Sequence, residues 1–209
     1  MSRRSPLVSR FRVWGVLLVA LLGGIGAFGL TEAQWKWLGR QVFGPPPRSE
    51  RAAAPREPFS GQPRVIDGDT LDLAGIRVRM QGIDAFEHDQ QCTRAGGGRF
   101  ACGAAARAEL AELIGGREVT CTPDGSLTHG RTVATCTVPG GTGPGGERDV
   151  VDLNAAMVLS GLAFDCPRYS DGRYAREQAT ARAGKAGAWG GRFTYPWTHR
   201  DRANACKPR

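Results

Sequence analysis

Lysine is nearly missing from this chain: of 28 basic residues only Lys36, Lys185 and Lys207 are lysines, so the cationic surface is almost wholly guanidinium. No CxxC pair occurs among the six cysteines, which excludes zinc ribbons and thioredoxin-type redox centres. No internal repeat of useful length is found, which argues against a solenoid. Hydrophobic residues make up 41% of the chain, enough for one core but not for a multispanning membrane protein. What is present is a net charge of +8 carried by planar groups that match phosphate in a two-pronged fork, so an acidic polymer is a reasonable partner.

Arg3, Arg4, Arg10 and Arg12 precede an uncharged run, "VWGVLLVALLGGIGAFGL", over 13–30. Its 18 residues are just enough to span a bilayer, and the positive-inside rule keeps the arginine-rich end in the cytoplasm. Residues 1–12 therefore read as a basic n-region and 13–30 as a transmembrane or signal-anchor segment. Residues 31–62, which include "GPPPRSERAAAPREPFSGQ", read as a linker, 63–200 as a folded domain and 201–209 as a tail. No clean small-x-small cleavage site follows the run, which favours a single-pass inner-membrane anchor with the domain outside the cytoplasm. Secretion is the outcome if the segment is cleaved. An even cysteine count agrees with an oxidising compartment. Of the pairings open to six cysteines, Cys92 with Cys102 closes a glycine-rich loop and Cys121 with Cys136 joins two β-like runs. That leaves Cys166 with Cys206.

From Pro63 onward the apolar pattern gives five short strands, "RVI", "TLDL", "IRVRMQGI", "REVTCT" and "RTVATCTV", which fit one small sheet or barrel. Three helices are interleaved, an α+β arrangement. "CGAAARAELAELI" carries an apolar stripe through Ala106, Leu110, Leu113 and Ile114 and stops at Gly115 and Gly116. "DLNAAMVLSG" starts on Asp152 as N-cap and ends at Gly161, and a more polar helix runs from about Arg173 to Ala183. "PGGTGPGGE", 139–147, reads as a flexible hairpin loop.

The charges cluster around "VIDGDT" and "IRVRMQGIDAFE". Read alone, Asp67-Gly68-Asp69 is a turn. Period-two alternation, however, puts Ile76, Val78 and Met80 on one face of a strand and Arg77, Arg79 and Gln81 on the other. That strand runs straight into Asp84 and Glu87, and "THGRTVATC" sets Arg131 at the head of another.

In this order, "VIDGDT", "RVRMQGIDAFE", "CGAAARAEL", "HGRTVA", "DLNAAMVLSGLA" and "AGAW" resemble the thermonuclease family, the staphylococcal-nuclease-like domains, over residues 63 to about 200. The resemblance implies a five-stranded OB-type β-barrel with three helices, a calcium ion (Ca2+), and hydrolysis of DNA and RNA phosphodiesters. It implies Asp69 and Asp84 as carboxylate metal ligands with the Ala85 backbone carbonyl beside them, and Asp67 as a neighbouring acid. Glu87 would activate water, and Arg79 and Arg131 would bind phosphate. Tyr169 and Tyr174 lie where aromatics stack on the nucleotide base. Ala85 and Phe86 replace the family's usual Thr and Pro, and His129 replaces the aromatic before "GR". His88 and His129 themselves read as surface imidazoles.

The main expectation is a calcium-dependent nuclease of low sequence specificity, monomeric and tethered at the cell envelope. The alternative is a non-catalytic nucleic-acid-binding OB module, and a third reading is a disulfide-stapled scaffold with no affinity for polynucleotides. A pure binding module has no need of all five of Asp69, Arg79, Asp84, Glu87 and Arg131.

Overall fold

A computed structural model describes residues 54–142 and 148–208. In chain order these form strands β1 (Phe59–Gly61), β2 (Pro63–Asp67), β3 (Thr70–Leu73), β4 (Ile76–Met80), β5 (Ile83–Ala85), β6 (Gln91–Thr93) and β7 (Arg99–Ala101). Helix α1 (Cys102–Ile114) follows, then β8 (Val119–Thr128), β9 (Arg131–Thr142), β10 (Arg148–Asp152), helix α2 (Leu153–Leu159) and β11 (Ala163–Asp165). The C-terminal part holds the single-turn helix α3 (Pro167–Ser170), α4 (Ala175–Ala183), a 3-10 turn (Gly187–Gly190) and α5 (Pro196–His199). The expected membrane segment, 13–30, and most of the expected linker lie outside the described residues. Among those described, no helix is long and apolar enough to cross a membrane.

The five expected strands are β2, β3, β4, β8 and β9, and they make the body of a seven-stranded sheet of order β1-β8-β9-β4-β3-β2, with β10 paired to β9. Neighbours are antiparallel except β4 and β9, which run parallel with Arg79 opposite Val133. The hydrogen-bond ladder is not closed. Its two edge strands, β1 and β2, are nonetheless consecutive in the chain and separated only by Gln62, so one bent segment supplies both edges. An OB-like fold of this family fits that arrangement, with more strands than expected.

Three differences from the expected layout have local causes. The fold begins at Phe59 and not at residue 63, because Phe59 pairs with Cys121 and packs on the core although Pro58 and Pro63 flank it. The glycine-rich 92–102 loop is a hairpin, β6–β7, held by the Cys92–Cys102 bridge across its base. The expected three helices are α1, α2 and α4, and the two extra ones are single turns, α3 and α5, each with proline in its first turn.

The core forms where sheet alternation meets helical periodicity. Leu71, Leu73, Val78 and Met80 face Ala106, Leu110 and Ile114 of α1 and Leu153, Met157 and Val158 of α2, all buried. Full burial of each large apolar side chain contributes roughly 1.5–3 kcal/mol. Leu113, expected in the stripe, is only partly buried. Helix α1 ends on Gly115 in the left-handed region, its N–H bonding Ala111 O. Helix α2 starts where the Asp152 carboxylate accepts the N–H groups of Asn154 and Ala155.

A second cluster is aromatic. Phe164 of β11 contacts the rings of Phe86, Trp189, Phe193, Tyr195 and Trp197, which fastens the segment beyond α4 onto the β5–β11 pair. All three expected disulfides form, Cys92–Cys102, Cys121–Cys136 and Cys166–Cys206. Each stabilises by about 2–4 kcal/mol. The last one ties the expected tail, 201–209, back to the residue after β11.

Gly103, in the first turn of α1, rests on the backbone of Glu87: a Cβ there would stand 1.7 Å from the Glu87 carbonyl oxygen. Gly103→Ala is therefore expected to lower stability by about 3 kcal/mol, measured as a reduced urea midpoint with unchanged m-value. A midpoint like that of the parent protein would show that this approach is not tight.

Candidate active site

The turn between β2 and β3 delivers the first acid. Asp67 Oδ1 accepts the Asp69 N–H at 3.0 Å, a local turn that aims the Asp69 side chain inward, where it is only 2% exposed. Gly68 between them is required by packing: a Cβ would stand 2.7 Å from both Ala106 of α1 and Ala85 of β5. Ala85 in turn donates its backbone N–H to Asp69 Oδ2 at 2.7 Å. The sequence pointed to the Ala85 carbonyl; the structure also gives its N–H a task, fixing the rotamer of Asp69.

Arg79 lies opposite Thr70 on β4, and its guanidinium joins two carboxylates. Nη1 pairs with Asp69 Oδ1, and Nη2 donates to Asp84 Oδ1 at 2.5 Å and to Ile83 O at 3.1 Å. Asp84 sits on β5 opposite Phe164 and is 2% exposed. Burial is the strongest influence on Arg79 and lowers its pKa against the opposing pull of Asp84, yet a guanidinium stays charged at neutral pH.

The parallel pairing of β4 with β9 explains the second arginine. Partners in register share a face, so Val133 sits on the Arg79 side, and Arg131, two residues earlier, returns to that same side about 6.6 Å along the strand. Arg131 makes long hydrogen bonds, from Nη1 to Thr70 Oγ1 at 3.4 Å and from Nε to Thr128 O at 3.5 Å. Among the described residues it has no carboxylate partner, which leaves it able to take an incoming anion.

Glu87 is half-buried after β5. Its N–H is held by Gln90 Oε1 at 3.1 Å, and the buried Gln90 donates to Thr194 O at 2.6 Å, linking this loop to the C-terminal segment. The Glu87 carboxylate pairs with Arg200, which was not anticipated. Arg200 follows α5, and its Nη2 also meets Asp84 Oδ2 at 2.5 Å. Burial opposes its charge, but Asp84 and Glu87 together outweigh that and raise its pKa.

Asp67, Asp69, Arg79, Asp84, Glu87 and Arg131 all line one open cavity of about 500 Å3, with Arg200 at its wall. The expected tyrosines separate. Tyr169 lines this cavity and is 58% exposed, whereas Tyr174 is 2% exposed, packed behind the lining residue Gly82 and not itself part of the lining. Its ring belongs to the core and is not placed for stacking on a base. His129 also faces the cavity from the β8–β9 turn, and both it and His88 are exposed, as expected.

The donor set is all oxygen and anionic where it is buried, which suits a hard divalent cation and not a thiolate- or imidazole-binding metal. No group of three or more His, Cys, Asp or Glu side chains among the described residues is arranged to hold a metal. Asp69 and Asp84, converging on one guanidinium, would thus be the two protein carboxylates of such a site, with carbonyl, water or substrate oxygens as the remaining ligands.

Residues 77–191 match the family model described as staphylococcal nuclease homologue. The chain belongs to this nuclease family. The chain is 36% identical over 138 residues to the succinoglycan biosynthesis protein ExoI of Rhizobium meliloti (strain 1021), covering 66% of this chain and 68% of that protein. It is 33% identical over 133 residues to the micrococcal nuclease of Shigella flexneri, covering 60% and 70% respectively. The family match contains Arg79, Asp84, Glu87 and Arg131, while Asp69 precedes it and Arg200 follows it. No local motif marks Arg200 in the sequence, and the one signal for it is a cysteine six residues later that has to find a partner.

Burial, reinforced by Asp152, pushes the Tyr174 phenol up to about 12. The unfolded chain loses this proton near its ordinary value of about 10, so the folded state binds more protons between the two values and stability falls as pH rises through that window. Ultraviolet titration should show the Tyr174 phenol ionising at higher pH in the native protein than in denaturant. Native and denatured curves that superimpose would contradict the burial of this ring.

Proposed function

We propose that the protein is a metal-dependent phosphodiesterase that hydrolyses DNA, RNA or both with low sequence specificity, with calcium as the cation. The observation that carries this reading is the meeting of Asp69, Asp84, Glu87, Arg79 and Arg131 in one cavity. Family membership and a relative named micrococcal nuclease support it.

Asp69 and Asp84 would hold the calcium ion, which would supply Lewis-acid charge neutralisation at a phosphate oxygen. Glu87, at the solvent-accessible rim of the buried pair, orients the attacking water and takes up its proton. Arg131 grips the phosphate and follows the negative charge that grows on it as the water oxygen bonds to phosphorus and the ester oxygen departs. Arg79 adds charge from beneath, fixed by its contacts with both aspartates. Such preorganised donors are worth several kcal/mol because they need no rearrangement when the charge develops. Tyr169, exposed at the rim, offers a sequence-tolerant surface for a base.

The expectation that the domain works outside the cytoplasm, anchored through 13–30 or released, is part of this proposal. Its support is the pairing of all six cysteines, which suits an oxidising compartment. One observation favours the alternative of a binding module without catalysis: Glu87 and Asp84 are engaged by Arg200.

Incubating the purified full-length protein with single- and double-stranded DNA and RNA, with calcium or a chelator, separates the two. Calcium-dependent cleavage is expected. Glu87→Gln and Arg131→Ala should each reduce kcat/KM by more than about a hundredfold. Retention of substrate without cleavage would establish the binding module, and parental rates in both variants would remove the assigned roles.

A further inference from the structure

Arg200 lies outside the segment that matches the family, yet it touches two of the acids on which the proposed chemistry depends. Its position is built from both sides. Upstream, Trp189, Phe193, Tyr195 and Trp197 are packed around Phe164, and Pro196 at the start of α5 is buried. Gln90 Nε2 holds the Thr194 carbonyl at 2.6 Å while Gln90 Oε1 holds the Glu87 N–H, so the two segments are locked to each other by one buried amide. Downstream, the chain is returned to the fold by Cys166–Cys206, and Cys166 itself lines the same cavity. Arg200 is thus held at both ends, and its N–H caps α5 by bonding Pro196 O.

The guanidinium spans the gap between a metal-ligand candidate and the candidate base. Nη2 takes the Asp84 oxygen that Arg79 leaves, and Nη1 takes Glu87. Without it, Glu87 and Asp84 would repel one another, and the half-buried Glu87 carboxylate would be free to swing to solvent. A planar fork fixes both carboxylates at once in a set geometry, which a freely rotating ammonium does only in part.

We propose that Arg200 is a positioning residue for Glu87: from a C-terminal clamp it holds the base carboxylate beside Asp84, and its charge also competes with a divalent cation for Asp84. This rests on the nuclease reading of the site. Arg200 acts through Glu87 and not on the phosphate, so its loss should lower turnover and leave substrate affinity alone. Because a competing charge leaves Asp84 at the same time, calcium should bind more tightly as catalysis declines. A merely structural defect would not produce that pairing of opposite effects.

The test compares parent, Arg200→Gln and Arg200→Lys as full-length proteins in steady-state cleavage of a DNA substrate, and in calcium titrations followed by tryptophan fluorescence and thermal shift without substrate. For Arg200→Gln, kcat should fall by about tenfold or more. KM should stay within about twofold of the parent value. The calcium midpoint should move to lower concentration, and Arg200→Lys should recover part of kcat. Parental or raised kcat in Arg200→Gln, or a raised KM with parental kcat, overturns the proposal. An unchanged calcium midpoint overturns its second half, and that titration reads Arg200 even if the parent protein cleaves nothing, an outcome that would instead defeat the nuclease reading.

Discussion

Two carboxylates almost wholly withdrawn from water, Asp69 and Asp84, meet on the guanidinium of Arg79. Placing three charges in such a position is unfavourable unless each is matched, because desolvation costs several kcal/mol per ion and attraction repays it only with good geometry. Here the matching draws on the whole fold. Asp69 needs the Asp67 turn and the Ala85 N–H, Asp84 needs the β5–β11 pair and Arg200, and Arg79 needs its register opposite Thr70. The remaining packing can be viewed as what keeps these partners from parting. Gly68 lets α1 and β5 close over the turn, and the hydrophobic core on the opposite side of β4, through Val78 and Met80, keeps that strand from rotating.

The same balance distinguishes the two half-buried groups, Glu87 and Arg131. Arg131 is tied less tightly than the buried triad, by hydrogen bonds of 3.4 and 3.5 Å, whereas Glu87 is paired with Arg200. A cavity with rigid charges at its floor and one loosely held guanidinium at its rim suits an anion that arrives from solvent and changes its charge while bound.

The parts of the fold that were legible in the sequence are those decided by local period or local capping. "IRVRM" alternates, and Val78 and Met80 are buried while Arg77 is exposed. "CGAAARAELAELI" repeats at helical spacing and stops on a left-handed glycine, and Asp152 caps α2 through its own side chain. Parts set by distant partners were not legible. Strand β1 is a strand because β8 offers it an edge, and its flanking prolines speak for a linker. Tyr174 and Tyr169 are five residues apart in similar surroundings, and only the close approach of Gly82 shows which one is interior. Asp69, Asp84, Arg79, Glu87 and Arg131 could be named from motif order, whereas Arg200 could not, since an aromatic cluster and a disulfide spanning 40 residues bring it in.

The parallel ladder between β4 and β9 makes backbone registration a coordinate of the chemistry. Shifting β9 by a single position would turn Arg131 toward the interior and offer Thr132, a neutral hydroxyl, in its place. A one-residue length change between Arg131 and Ala134 would therefore turn Arg131 away from the cavity. The far part of the β8–β9 ribbon, irregular already between Pro123 and Leu127, is open to such changes. Insertion there would reshape the rim of the cavity without shifting the register that places Arg131.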